Sequence, residues 1–141
     1  MQPSDYDYQT EADRLSQILY SLPASPSETL KAHMHRLGFT IEQLVSKSGV
    51  SESTIRRLRS NPSYHTTRTN LFALCIGLQL EPKLQHDLFS KYGISFTCTP
   101  EDVLYELLLN TMYQQPLSAV NQYLSDYGYA PLSRGTDELD E

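Results

Sequence analysis

TIEQLVSKSGVSESTIRRLRS, the stretch from Thr40 to Ser60, carries the pattern from which the rest of the fold is read. Thr40 followed three positions later by Gln43 is a capping box, in which side chain and backbone satisfy each other's orphan groups at a helix start. Leu44 and Val45 give that short helix a side to bury. Gly49 supplies a sharp corner, Val50 plugs the angle beyond it, and Ser51 caps a second helix. At about 100° per residue, Ile55 and Leu58 fall on one side of the second helix, and Ser53, Arg56, Arg57 and Ser60 fall on the other. One face packs while the other reaches out.

Start and stop signals of the same kind punctuate the chain on both sides. Ser25-Pro26-Ser27-Glu28 and Thr99-Pro100-Glu101-Asp102 place a hydroxyl cap, then proline at the first helical position, then an acid. Gly38, Gly49, Gly77, Gly93 and Gly128 stand where helices are expected to stop. The spacing predicts helices near 11–21, 26–37, 41–48, 52–60, 68–78, 82–92, 100–113 and 116–127. No stretch alternates with period two for long enough to demand a strand. The expected fold is all-α.

The expected organisation is a tail over 1–24 containing one short amphipathic helix, a five-helix domain over 25–93, a helical extension over 94–134 packed on it, and an acidic tail over 135–141. The helix at 100–113 is apolar on two sides, through Leu104, Leu107, Leu108 and Met112 and through Tyr105, Leu109 and Tyr113. Such a helix is either buried broadly or shared with a partner.

A chain of 141 residues with 39% hydrophobic content can bury one core of its own. The two cysteines, Cys75 and Cys98, offer neither a disulfide frame nor a thiolate metal site. Asp5, Asp7, Glu11 and Asp13 occupy the place of a basic leader, and no apolar run approaches the roughly 18 residues of a membrane span. A reducing cytoplasm is the expected location. The net charge of −6 is unevenly spread. Residues 28–68 hold Lys31, Arg36, Lys47, Arg56, Arg57, Arg59 and Arg68 against Glu28, Glu42 and Glu52, whereas both flanks are acidic. A polyanion would find its footing in the middle third.

The outward face at 52–60 has the chemistry for duplex DNA. Arginine can donate a bidentate pair to guanine, serine can bond a base or a phosphate, and a helix N-terminus adds N–H groups and partial positive charge. Ser53 and Arg57 are the candidate base readers, with Arg56 near the backbone. Arg59 lies toward the packed side and is expected to touch phosphate or pair with an acid. Glu52 suits the helix dipole, can pair with Arg56 four residues on, and could accept a bond from cytosine N4. Adding Thr40, Ser51 and Ser60 completes the candidate DNA-contacting set of Thr40, Ser51, Glu52, Ser53, Arg56, Arg57, Arg59 and Ser60. His33 and His35 diverge on their helix, and His65 and His86 lack ligand-spaced neighbours. Neither cysteine has an obvious base and no phosphate-binding glycine loop is present. No metal, cofactor or enzymatic activity is expected.

The series Thr40, Leu44, Gly49, Val50, Ser51, Ile55, Leu58 resembles the helix-turn-helix of the Cro and phage-repressor type, also called the xenobiotic-response-element family. The resemblance covers about residues 27–80, since Leu71, Leu74, Cys75, Ile76, Leu78 and Leu80 match the apolar fourth helix. It implies a five-helix domain, sequence-specific binding of double-stranded DNA by a bacterial or phage transcription regulator, and commonly a homodimer. A second set, Arg59-Ser60-Asn61-Pro62, Tyr64-His65, Ala73–Leu80, Val120-Asn121 and Tyr129–Leu132, is similar to a helical module appended to varied bacterial proteins. That likeness spans about 28–134 and implies regulation or contact with a protein partner. Two expectations follow: a DNA-binding regulator with 52–60 as its recognition helix, or a protein-interaction module on the same scaffold.

Overall fold

The computed structural model describes residues 7–132 and contains, among them, eight α-helices and no strand. They are α1 (Tyr8–Ser21), α2 (Pro26–Leu37), α3 (Ile41–Ser48), α4 (Glu52–Ser60), α5 (Arg68–Leu78), α6 (Pro82–Lys91), α7 (Pro100–Thr111) and α8 (Leu117–Asp126). The chain is all-α. The acidic segment expected at 135–141 lies outside the described residues, as do the first six.

Local chemistry accounts for the boundaries. Ser25, Thr40, Ser51, Thr67 and Thr99 each accept an N–H from the first turn of the helix they precede, which satisfies one of its orphan donors. α1 begins three residues before the expected position because Asp7 accepts the Thr10 N–H and caps it. α7 ends at Thr111 rather than 113, where the Met112 N–H closes on the Leu108 carbonyl before Pro116.

The expectation for Gly77 is corrected. It lies inside α5, and the residue in the left-handed conformation that ends this helix is Gln79, at φ 54°. Gly77 is required instead by close approach. A Cβ there would stand 2.9 Å from the Ser48 Cβ and 3.1 Å from the Ser48 backbone. Helices α3 and α5 therefore touch almost backbone to backbone. Gly77→Ala is expected to destabilise the fold by about 1–3 kcal/mol, since overpacking must push α3 away even though alanine is the better helix former by roughly 1 kcal/mol. Chemical denaturation checks this; an unchanged or raised midpoint would show that α3 is free to move.

The core is continuous. Every residue of α5 from Leu71 to Leu78 is buried, which makes α5 the axle of the molecule. Leu30 and Met34 of α2, Leu44 of α3, Ile55 and Leu58 of α4, Leu84 and Leu88 of α6, Tyr105, Leu108 and Leu109 of α7, and Val120 and Leu124 of α8 belong to one buried cluster with it. α1 is docked: Leu15, Ile18 and Leu19 pack against this core, and Arg14 pairs with Glu11 and with Glu81 at the start of α6.

Polar ties fix the second half on the first. The buried Gln85 amide donates to the Leu80 and Leu109 carbonyls at 2.7 and 2.9 Å, joining α6 to α7. Arg68, at the start of α5, donates to Glu101 at 2.7 Å, faces the buried Asp102 carboxylate, and lies over the Tyr105 ring. Asn121 accepts the Leu132 N–H at 2.8 Å and folds the chain back on α8. Among the described residues no helix is long and apolar enough to cross a membrane.

Candidate functional site

The α3–α4 corner is built from buried hydroxyls as much as from glycine. Gly49, at φ 71°, sends its N–H to the Val45 carbonyl at 2.8 Å. Ser48, fully buried, donates to the Leu44 carbonyl at 2.6 Å and accepts the Val50 N–H at 3.2 Å. Val50 fills the angle between the helices with no exposed surface. Ser51 is likewise fully buried; its hydroxyl accepts the Thr54 N–H at 3.2 Å and donates to the Thr54 hydroxyl at 2.9 Å. Beyond this corner, Ile55 and Leu58 are buried while Ser53, Arg56, Arg57 and Ser60 are exposed. The face of α4 opposite its packed side is thus uncovered.

The candidate residues separate into three groups. Ser53, Arg56, Arg57 and Ser60 stand together on that exposed face, with Glu52 beside them. Glu52 accepts from Arg56 Nε at 2.8 Å, and both side chains are more than half exposed. Arg57 has no carboxylate partner among the described residues and lies 6.0 Å from the centre of the Tyr64 ring. Ser60 donates to the Arg56 carbonyl. Thr40 stands apart on α3, its hydroxyl engaged in the capping box with Gln43.

One candidate is corrected, and a second lies toward the packed side as its place on the helix led one to expect. Ser51 cannot offer its side chain to a ligand, because it is buried and spent on capping; it positions α4 instead. Arg59 pairs with no acid among the described residues. It is half-buried against α2, with a buried Nε–H that has no acceptor, because it sits about 40° from Ile55 around the helix and so turns inward.

Pairing within the molecule changes the charge pattern. In the second half, Glu81, Asp87, Glu101 and Asp102 each meet a cation, respectively Arg14, Lys91, Arg68 and Arg68. Arg68 serves two of these acids and Arg14 is shared with Glu11, so the pairing compensates the described acids of that half only in part. Of the basic group at 28–68, Arg68 is consumed in this way, while Arg36, Lys47, Arg57 and Arg59 have no carboxylate partner among the described residues. Sequence reading missed Arg68 as a structural tie, Ser48 as the buried clasp of the corner, and Tyr64 as the ring beside Arg57. The first could have been suspected from Glu101-Asp102 at a helix start, but their meeting with Arg68 is a tertiary event.

His33 is buried, and Arg36 Nε donates to its Nδ1 at 3.1 Å, so the neutral ring carries its proton on Nε2. Burial, with Arg36 and Lys91 nearby outweighing Asp87, pushes its pKa down to about 4. A histidine depressed in the folded state contributes stability above its unfolded value near 6.5 and loses it as pH falls through the interval toward the folded value. The loss expected from this residue between pH 7 and pH 5 is about 2 kcal/mol. Melts of wild type and His33→Gln at the two pH values test it: the difference between pH values should shrink by that amount in the variant, and an equal difference would assign the acid sensitivity elsewhere. Burial also drives the Cys75 thiol up, which removes it as a nucleophile.

No protein-family model, curated protein or solved structure matches the chain.

Proposed function

We propose that α2–α6 form a helix-turn-helix domain of the repressor type, that α7 and α8 extend it, and that the protein is a DNA-binding transcription regulator and not an enzyme. In this reading α4 enters the major groove. The observation that supports it is the division of α4 into a clamped side, Ser51, Ile55 and Leu58, and an uncovered side bearing Ser53, Arg56, Arg57 and Ser60. Arg57 is the leading base reader, since no carboxylate competes for its guanidinium. The Glu52–Arg56 pair is solvent-exposed, and such pairs contribute at most about 1 kcal/mol. A phosphate can displace it, and the freed Glu52 can accept from cytosine N4.

One such helix reads only a few base pairs, so a homodimer on a two-fold site is part of the proposal. Val103 and Leu107, one turn apart on α7, are 46% and 55% exposed and supply apolar surface for it. Selection from a randomised duplex library, followed by anisotropy titration at low salt, is the test. Enrichment of a sequence whose affinity falls with salt supports the reading, and no detectable duplex binding at low salt removes it.

The second reading, a protein-interaction module on the same scaffold, is favoured by the remaining exposed apolar groups of the second half. Tyr123 and Tyr127 stack at 4.7 Å on the surface of α8. Recovery of one stoichiometric protein partner, with duplex binding undetectable, would select it.

A further inference from the structure

Arg59 belongs to a different piece of surface from the other arginines of α4. It forms one wall of a cavity of about 400 Å³ between α2 and α4, with Lys31 and His35 one helical turn apart on α2 and an apolar lining from Ala32, Met34 and Phe39. The Arg59 Nε–H is buried without an acceptor. That N–H is out of reach of the cavity and is not itself a ligand contact; it shows that the stem of Arg59 is desolvated, which leaves the guanidinium charge less screened than on an open surface. Glu28, at the same rim, is engaged by Lys31 at 3.4 Å. Counting Lys31 and Arg59 against Glu28 leaves one uncompensated positive charge, in a chain that is acidic as a whole.

We propose that this cavity binds a small organic monocarboxylate, with the carboxylate on the Arg59 guanidinium and Lys31, and the apolar body against Met34 and Phe39. The planar guanidinium fork matches a carboxylate. A phosphate dianion fits less well, since Glu28 sits at the rim and the lining is apolar opposite the cations. Arg59 lies on α4, so under the DNA reading the ligand would act as an effector of the recognition helix. The binding itself does not depend on that reading.

The test is titration of the full chain, without DNA, by ¹⁹F NMR with 4-fluorophenylacetate, with 4-fluorophenylacetamide and inorganic phosphate as controls. Ten or so heavy atoms and one partly solvated ion pair set the expected Kd at about 1 mM. The amide and phosphate should each bind at least about 10-fold more weakly. Arg59→Gln should weaken the acid by about 10-fold or more. Ala32→Phe, which fills the cavity and leaves the charges in place, should abolish binding; it decides the matter if Arg59→Gln does not fold. No binding of the acid at about 10 mM, equal binding of acid and amide, phosphate binding as tightly as the acid, or indifference to Ala32→Phe would each overturn the proposal.

Discussion

Arg68→Met is expected to lower the stability of the folded chain by about 3 kcal/mol, because it leaves the Asp102 carboxylate buried without its counter-charge. The carboxylate is 2% exposed and keeps only the bonds from Thr97, whose N–H and hydroxyl both donate to Oδ2 at 2.7 Å. The side of Asp102 facing Arg68 would then be desolvated and unmatched, and methionine fills most of the volume, so the loss reports charge rather than a cavity. For a chain of this length the melting temperature should fall by roughly 10 °C. Adding Asp102→Asn should restore part of the loss by removing the stranded charge. A loss below about 1 kcal/mol would mean that Arg68 is held as an ordinary surface ion pair and that α7 is fixed on α5 by apolar contact alone.

Arg57→Ala is expected to cost about 10- to 100-fold in affinity for a selected duplex, the range of one bidentate base contact. Binding to unrelated duplexes should fall much less, since a base contact carries sequence information and a phosphate contact does not. Arg57 is chosen because its exposed guanidinium has only the Tyr64 ring beside it, so the substitution disturbs no ion pair. Arg56→Ala, by contrast, should weaken all duplexes alike, consistent with a place near the backbone. Equal weakening of selected and unrelated duplexes by Arg57→Ala would demote it from base reading to phosphate contact.

The helices were legible because their ends are written in local chemistry. Serine or threonine before α2, α3, α4, α5 and α7, proline at or just before the start of α6 and α8, and glycine after α2, α3 and α6, act within a few residues and need no knowledge of the rest of the chain. Gly77 was misread for the complementary reason: its requirement comes from Ser48, which is 29 positions earlier in the chain and reaches it only across packed helices. The division of α4 into two faces was legible from a period of about 3.6 residues. That same period placed Arg59 near the packed edge, yet it could not say that the neighbouring wall would offer Lys31 and His35 instead of an acid. Asp87 has its own cation in Lys91, whereas Glu101 and Asp102 share Arg68, so pairing softens the local field of these acids and leaves that half acidic.

The salt dependence of duplex binding tests the central claim most directly, because it counts displaced counterions. Wild-type affinity for the selected duplex should fall linearly on a log–log plot, at about 0.9 per phosphate neutralised. Arg56→Ala should flatten that slope by about one phosphate. A wild-type slope near zero, or one that no substitution on the exposed face of α4 alters, would contradict α4 as the element that meets DNA.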